Sequence, residues 1–499
     1  MLVASPGSAS IAAQRSRGVA ASYGALPTLF AKHLSKALAP PTRRNNKTAM
    51  GPISNRRDSL LGPKPDPGVK ASYAQMLSLA LMLSLGVGLM ALPNEISNTG
   101  TVPYAIMFVC VVSGMNWSML ALLRAKSAVE ERGIKVQSYR DLGYDFLGGD
   151  HGSRAVDWCV VGFQFGVCAS YFSFMTSTLH TLWPHGPSET SFTVVLVPIV
   201  GVPCALKHLK DLGIVAQVAT VTYAFSLCTV GFYAIHRLVV KGHVYNTQPF
   251  SGSPWGLIGL LGSLCYAFEG IPSTLCQMSN ALAEPERAPE LVTTSLVGLA
   301  VIFTATGYVC NFAYQDPANP ITVSLIDEFG ISGLPAAANW LVVISVALKF
   351  PMQFFPMAQQ LEHALEIDRY VCKRDDDSEA TRLLPSEQTF IGERDGDRWS
   401  VAFRAMLVVL AALTALVVND LTTIINVVGI VFGPSLGFIF PCYFDLICVR
   451  RRAYDRTKLE VAISIVVLCV SVAATFLGFG QQVVGLVRAY INGSDDDRR

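Results

Sequence analysis

Charge is what this chain has least of. Only 15% of its 499 residues are Asp, Glu, Lys or Arg, against about 25% in a soluble domain. That shortage, with 51% hydrophobic residues, excludes an ordinary soluble protein of this length. Metal-ligand patterns are missing too. The eight histidines include no HExxH or other paired-ligand spacing. The twelve cysteines stand singly, mostly in apolar stretches, with no CxxC. They read as small packing residues, implying neither a disulfide framework nor a metal site. No basic region followed by an apolar core opens the chain, so no signal peptide is expected. Nothing resembles a selectivity filter or a charged ring, which disfavours a passive channel. No polar cluster has catalytic spacing, which disfavours a membrane-embedded enzyme.

Acidic residues are scarcest at the start. Residues 1–70 hold eleven Lys/Arg against only Asp58 and Asp66. This segment reads as a disordered cytosolic tail, although its composition also resembles a transit peptide. Beyond it the chain is a series of apolar runs, most of them near 20 residues and long enough to cross a bilayer as helices. They fall at 72–97, 102–123, 155–182, 192–206, 213–235, 256–278, 291–314, 337–358, 401–418, 421–447 and 459–479. The expected fold is an all-α polytopic membrane protein with eleven transmembrane helices. The transmembrane domain covers 71–480, with a hydrophilic cytosolic loop at 359–400 and a short tail at 481–499. A short interfacial helix is expected at 138–147.

Loop charge sets the sidedness. The loops after spans 2, 4, 8 and 10 carry the basic residues, among them Arg124, Arg140, Lys207, Lys373 and Arg451, whereas those after spans 1, 3, 7 and 9 carry none. Positive loops stay cytoplasmic, which puts the N-terminus inside and the tail at 481–499 outside or luminal. Arg237 and Lys241, after span 5, run against the pattern.

Two spans carry clustered glycines and a proline in mid-span. Span 1 contains Gly86, Val87, Gly88 and Pro93; span 6 contains Tyr266, Ala267, Phe268, Glu269, Gly270 and Pro272. Proline removes a backbone donor and glycine lets the chain bend. The two spans head groups of five, repeat one at about 72–236 and repeat two at about 256–447. Five is odd, so the groups have opposite orientations in the membrane. Matched interruptions in two inverted halves point to a transporter substrate site. Half-helix N-termini offer amides to a carboxylate and half-helix C-termini offer carbonyls to an ammonium, which suits a zwitterionic amino acid. The plainer reading makes Gly86 and Gly88 close-packing positions. Glu269, mid-span, is functional by default; its plainer reading is a protonated side chain bracing the helix.

Several of these residues also fall into a family pattern. Gly86-Val87-Gly88 with Leu92-Pro93 resembles the first-helix signature of the amino acid/auxin permease family. Ala267-Phe268-Glu269-Gly270 resembles the sixth-helix motif of its proton-coupled branch, which includes vacuolar amino acid transporters. Thr306-Gly307-Tyr308, Gln353-Phe354-Phe355-Pro356 and Gly433-Pro434-Ser435 with Phe440-Pro441 are similar to motifs of helices 7, 8 and 10. The resemblance covers about 72–450. It implies a LeuT-like, five-plus-five inverted-repeat fold plus an eleventh helix, and amino acid transport, often proton-driven. The family often has Asn and Thr where this chain has Ser84 and Val87, so the first break loses polar side chains.

The expected function is a secondary active transporter of neutral amino acids working by proton symport. The alternatives are an amino-acid-sensing transceptor and, from another class, the membrane-embedded enzyme. The substrate contacts are expected from Ser84, Gly86, Val87, Gly88, Tyr171, Tyr266, Ala267, Phe268 and Gly270, and proton coupling from Glu269 and Lys349. Lys349, in span 8, either stands in for the sodium ion of sodium-coupled relatives, pairs with Glu269, or snorkels to the cytoplasmic face. Glu95 either lines a gate or sits near the outer interface, and Asp157 and Asp445 fall near span ends. No cofactor is expected beyond a coupling proton or sodium ion, and no metal or nucleic acid. The partners are the amino acid and the lipid bilayer, the chain is expected to be a monomer, and the host is an endomembrane, vacuole- or lysosome-like, or the plasma membrane. Asn492-Gly493-Ser494 is a glycosylation sequon, and 379–384 reads as an acidic dileucine address.

Overall fold

The computed structural model describes residues 70–205, 212–251, 256–268, 270–365 and 393–496. The tail 1–69, Lys207, Lys210, Glu269, Lys373 and the dileucine segment lie outside these residues. Regular structure among the described residues is helical, apart from one isolated bridge between Ala71 and Leu282.

Span 1 is two helices, α1 (Tyr73–Ser84) and α2 (Val87–Thr99), bent by 53° at the intervening residues. Ser72 opens α1 with a capping box, which satisfies two of the free amides at its start. Span 2 is α3 (Thr101–Glu130), and α4 (Tyr139–Phe146) is the expected interfacial helix. Span 3 is α5 (Asp150–Leu182), span 4 α6 (Glu189–Ala205) and span 5 α7 (Leu212–Lys241). Span 6 comprises α8 (Gly256–Phe268) and α9 (Gly270–Ala281), and span 7 is α10 (Ala288–Ala313). A helix not expected from the sequence, α11 (Ile321–Phe329), precedes span 8, α12 (Gly333–Ala364). Spans 9 and 11 are α13 (Glu393–Val418) and α16 (Lys458–Asp496). Span 10 is α14 (Leu421–Val431), a π-helical turn at Ser435–Ile439 and α15 (Phe440–Arg450). Tyr139 donates to the Leu436 carbonyl at 2.9 Å, which satisfies an acceptor in that irregular turn.

Among the described residues, nine helices are long and apolar enough to cross a bilayer, and the bent α1–α2 pair makes ten. The remaining expected span, α6, is apolar but shorter. Two boundaries differ from expectation. The segment expected as a loop from 359 is still helical to Ala364 and helical again from Glu393. Glu362 explains this, because it forms a buried pair with Arg404 at 2.8 Å that fastens α12 to α13. The C-terminal tail expected from 481 continues α16 as helix to Asp496.

The apolar window of α5 is 83% buried and that of α16 only 11%. A helix buried on all sides sits at the centre of a bundle, so α5 is central and α16 peripheral. The loop contacts sort into two ends. At one end the Thr99–Val102 corner meets the loop after span 5, with Val102 N–H donating to Pro249 O at 3.1 Å and Ser251 N–H to Thr99 O at 3.2 Å. Asn319, after span 7, meets Thr422 at the start of span 10 at 2.8 Å. Arg237 and Lys241 both pair with Glu328 there, so a carboxylate on the next loop of that end offsets part of the charge that broke the pattern. At the other end, Arg132 and Arg451 share Asp145, and Arg124 and Arg456 share Asp445. Asn280, after span 6, reaches Val136 O at 2.8 Å. Ala71 N–H donates to Ala281 O at 2.8 Å, so span 1 begins where span 6 ends. The described loops after spans 1, 5, 7 and 9 therefore meet at one end, and those after spans 2, 6 and 10 at the other. Burial and the Asp445 carboxylate push the Tyr454 phenol far up, so it stays a donor to that cluster, at 2.5 Å.

Candidate functional site

The site forms where span 1 bends. α1 closes at Leu85, whose backbone is extended, and α2 opens at Gly86 with no side chain capping its first amides. A helix end leaves about four amides or carbonyls without intrahelical partners. At this bend two carbonyls are taken by side chains. Lys349 Nζ, on α12, donates to Leu85 O at 2.6 Å and lies 4.3 Å from the centre of the Tyr223 ring. Tyr223 Oη, on α7, donates to Gly86 O at 2.7 Å. Lys349 is 5% exposed, so it does not snorkel. Its ammonium lies at the C-terminal, negative end of α1, where a cation is favoured.

Span 6 crosses at the same level and runs antiparallel. A Cβ placed on Gly88 would lie 2.9 Å from the backbone of Ala267, and one on Gly270 would lie 2.8 Å from the backbone of Leu83. So α2 packs on the end of α8, and α9 begins against the end of α1. The two segments of span 6, α8 and α9, together make up the apolar stretch Gly256–Ala281. The interruption expected near Phe268–Gly270 falls on a position outside the described residues. Pro272 lies in the first turn of α9, where a missing amide hydrogen is best tolerated. The position between the two segments, Glu269, lies outside the described residues.

Between the two spans is a cavity of about 20 Å³ of space for water centres. It is lined by Ser84, Gly86, Val87 and Gly88 from span 1, Tyr266, Ala267 and Gly270 from span 6, and Tyr171 from α5, with Leu83, Phe163, Val167 and Gln353 besides. None of these lining residues carries a charge. The Ser84 hydroxyl is buried with no hydrogen-bond partner. Phe268 is the exception among the expected contacts. It is fully buried against Phe108 and Phe303, with ring centres 5.8 and 4.9 Å away. Two residues on from Tyr266 is about 200° around a helix, so Phe268 faces away from the cavity. Phe163, Val167 and Gln353 were not anticipated as lining residues. The first two lie eight and four residues before Tyr171, on one face of α5.

The pattern of spans and motifs matches a family model. Residues 70–484 fit the model described as transmembrane amino acid transporter protein. The chain belongs to that family. It is 22% identical over 414 residues to amino acid transporter AVT3B of Arabidopsis thaliana, covering 79% of this chain and 89% of the relative. It is also 22% identical over 429 residues to vacuolar amino acid transporter 4 of Saccharomyces cerevisiae, covering 81% of this chain and 57% of that protein. Among solved structures it resembles MhsT in complex with L-phenylalanine, with a TM-score of 0.51 and 11% identity, covering 82% of this chain and 99% of that one. At that identity the likeness is one of fold, the LeuT-like architecture expected from the matched halves. The family is one of transporters, which removes the membrane-embedded enzyme.

The sequence leaves one buried acid between a gate and the outer interface. Glu95, on α2, is 4% exposed and accepts from Ser263 Oγ of α8 at 2.7 Å. Its burial among α2, α8 and α14 turns it into the bundle, one helical turn before the Thr99–Val102 corner.

Proposed function

We propose that this family member is a secondary active transporter that carries neutral amino acids by proton symport, binding them where spans 1 and 6 cross. The observation that carries this reading is the uncharged cavity at the uncapped start of α2. The amides of Val87 and Gly88 and the partnerless Ser84 hydroxyl form a donor set for a carboxylate. Tyr171 and Gln353 supply further polar groups. With no charged side chain among the described lining residues, a charged substrate side chain would lose water without gaining a partner there, which favours neutral substrates. About 20 Å³ admits roughly one water, so the bundle parts to take up an amino acid.

Lys349 and Glu269 are the proposed coupling groups. The Lys349 ammonium occupies a carbonyl and a ring face at the bend, as a coupling cation would. Losing its proton would weaken the bond to the carbonyl and remove the cation's attraction to the ring, loosening α1 from α12. Glu269 contributes in this reading as the mid-span carboxyl of span 6. The alternation of basic loops supports a cytoplasmic N-terminus, and the vacuolar yeast relative supports an endomembrane host. The test is uptake of a panel of labelled amino acids into proteoliposomes. The expected result is accumulation of neutral amino acids driven by a pH gradient, abolished by a protonophore and unaffected by sodium. Accumulation of charged amino acids alone, or strict sodium dependence, would contradict it.

A further inference from the structure

A second polar site lies beyond the cavity, nine residues along the chain from the bend. Ser263 Oγ is 2.7 Å from Glu95 Oε1 and 2.6 Å from Asn426 Oδ1. These residues come from α2, α8 and α14. The backbones of α8 and α14 touch beside them, since a Cβ on Gly429 would fall 1.9 Å from Gly262 O. A hydroxyl has one hydrogen and can donate to only one of two oxygens. The Asn426 amide nitrogen is turned toward Gly259, where a Cβ would sit 3.3 Å from it. With the amide placed this way the missing hydrogen comes from the Glu95 carboxyl; turned over, the amide would itself donate to Glu95. Charge favours the first arrangement. Among the described residues no Lys, Arg or His pairs with Glu95. The titratable groups facing it are Asp420, capping α14, and Tyr104, on α3, and neither can neutralise it. The other helices packed on α2 bring no titratable group that acts on it. An ionised carboxylate buried without a partner is costly.

We propose that Glu95 is a proton-binding site, holding a proton while α2, α8 and α14 are closed on one another and releasing it to water when they part. The step is simple protonation: the carboxylate takes one proton from solvent on closing and returns it on opening. Low pH then favours the closed contact and high pH the parted one. This site is additional to Lys349 and Glu269, and it rests on the transport reading only for its place in a cycle.

Infrared difference spectroscopy on the full-length protein in lipid, across a pH step, tests this directly. The expected result is a protonated-carboxyl band at neutral pH that is absent in Glu95→Gln and shifted in Ser263→Ala. The same band in wild type and Glu95→Gln would overturn the proposal, because Glu95 would then be ionised with the Asn426 amide turned over. If Glu95→Gln fails to fold, Glu95→Asp serves instead: the band should move, and an unmoved band is equally fatal. Amino acid exchange provides a second readout. Its rate should change by up to about tenfold per pH unit on the limb where one proton is linked, and flatten in Glu95→Gln; an unchanged slope would count against the site. A wild type that shows the Glu95 band but no pH-driven uptake would defeat the symport reading and leave this one standing.

Discussion

Spans 1 and 6 carry similar glycine and proline patterns, yet Gly86 and Gly270 serve different ends. Span 1 bends by 53°, and its exposed carbonyls are met by Lys349 and Tyr223. In span 6, Gly270 serves as a contact surface for the backbone of Leu83. The contrast shows that a glycine in mid-span can have either of two uses. Gly86 belongs to a bend, where a Cβ would meet nothing nearer than Tyr171 Oη at 3.5 Å. Gly88 and Gly270 let two backbones touch.

The largest effect should come from filling those contacts. Gly270→Val and Gly88→Val each drive a side chain into backbone that cannot yield. Overpacking of this kind costs about 1–3 kcal/mol or more. Thermal melting in detergent should fall sharply and uptake should drop to background. Next is Lys349→Met, which keeps the stem but leaves the buried Leu85 carbonyl without its donor. A loss of about 1–3 kcal/mol is expected, with loss of pH-driven uptake; melting and uptake assays check the two separately. Tyr223→Phe removes only the hydroxyl on Gly86 O and keeps the ring under Lys349. It should cost about 1 kcal/mol and raise KM a few-fold. Smallest is Gly86→Ala, expected within about 0.5 kcal/mol of wild type in stability. If it unfolds the protein as Gly270→Val does, the two glycines do not differ as described.

The spans were legible because a bilayer demands apolar runs of a set length, and the two-ended sorting of loops came from their charges. The missed α11 has nine residues between Pro320 and Gly330, too short to stand out from a loop. The Lys349 partner was not legible, because a long flexible stem fits several destinations. For Glu95 the choice between gate and outer interface stayed open for a different reason. Its burial depends on Ser263, 168 residues away, and on Asn426, and no local pattern announces such a meeting. Phe163 and Val167 were within reach of a count back by helical turns from Tyr171. The bend at Gly86 was marked by its glycines, but which carbonyls are capped, and by what, depends on packing from spans 5 and 8.

The central claim is that a neutral amino acid binds at the crossing of spans 1 and 6. A structure determined with a neutral L-amino acid bound tests it most directly. The account predicts the substrate carboxylate at the amides of Val87 and Gly88 within reach of Ser84 Oγ, with Lys349 still on Leu85 O. An amino acid bound elsewhere in the bundle, with Ser84 and the start of α2 untouched, would contradict it.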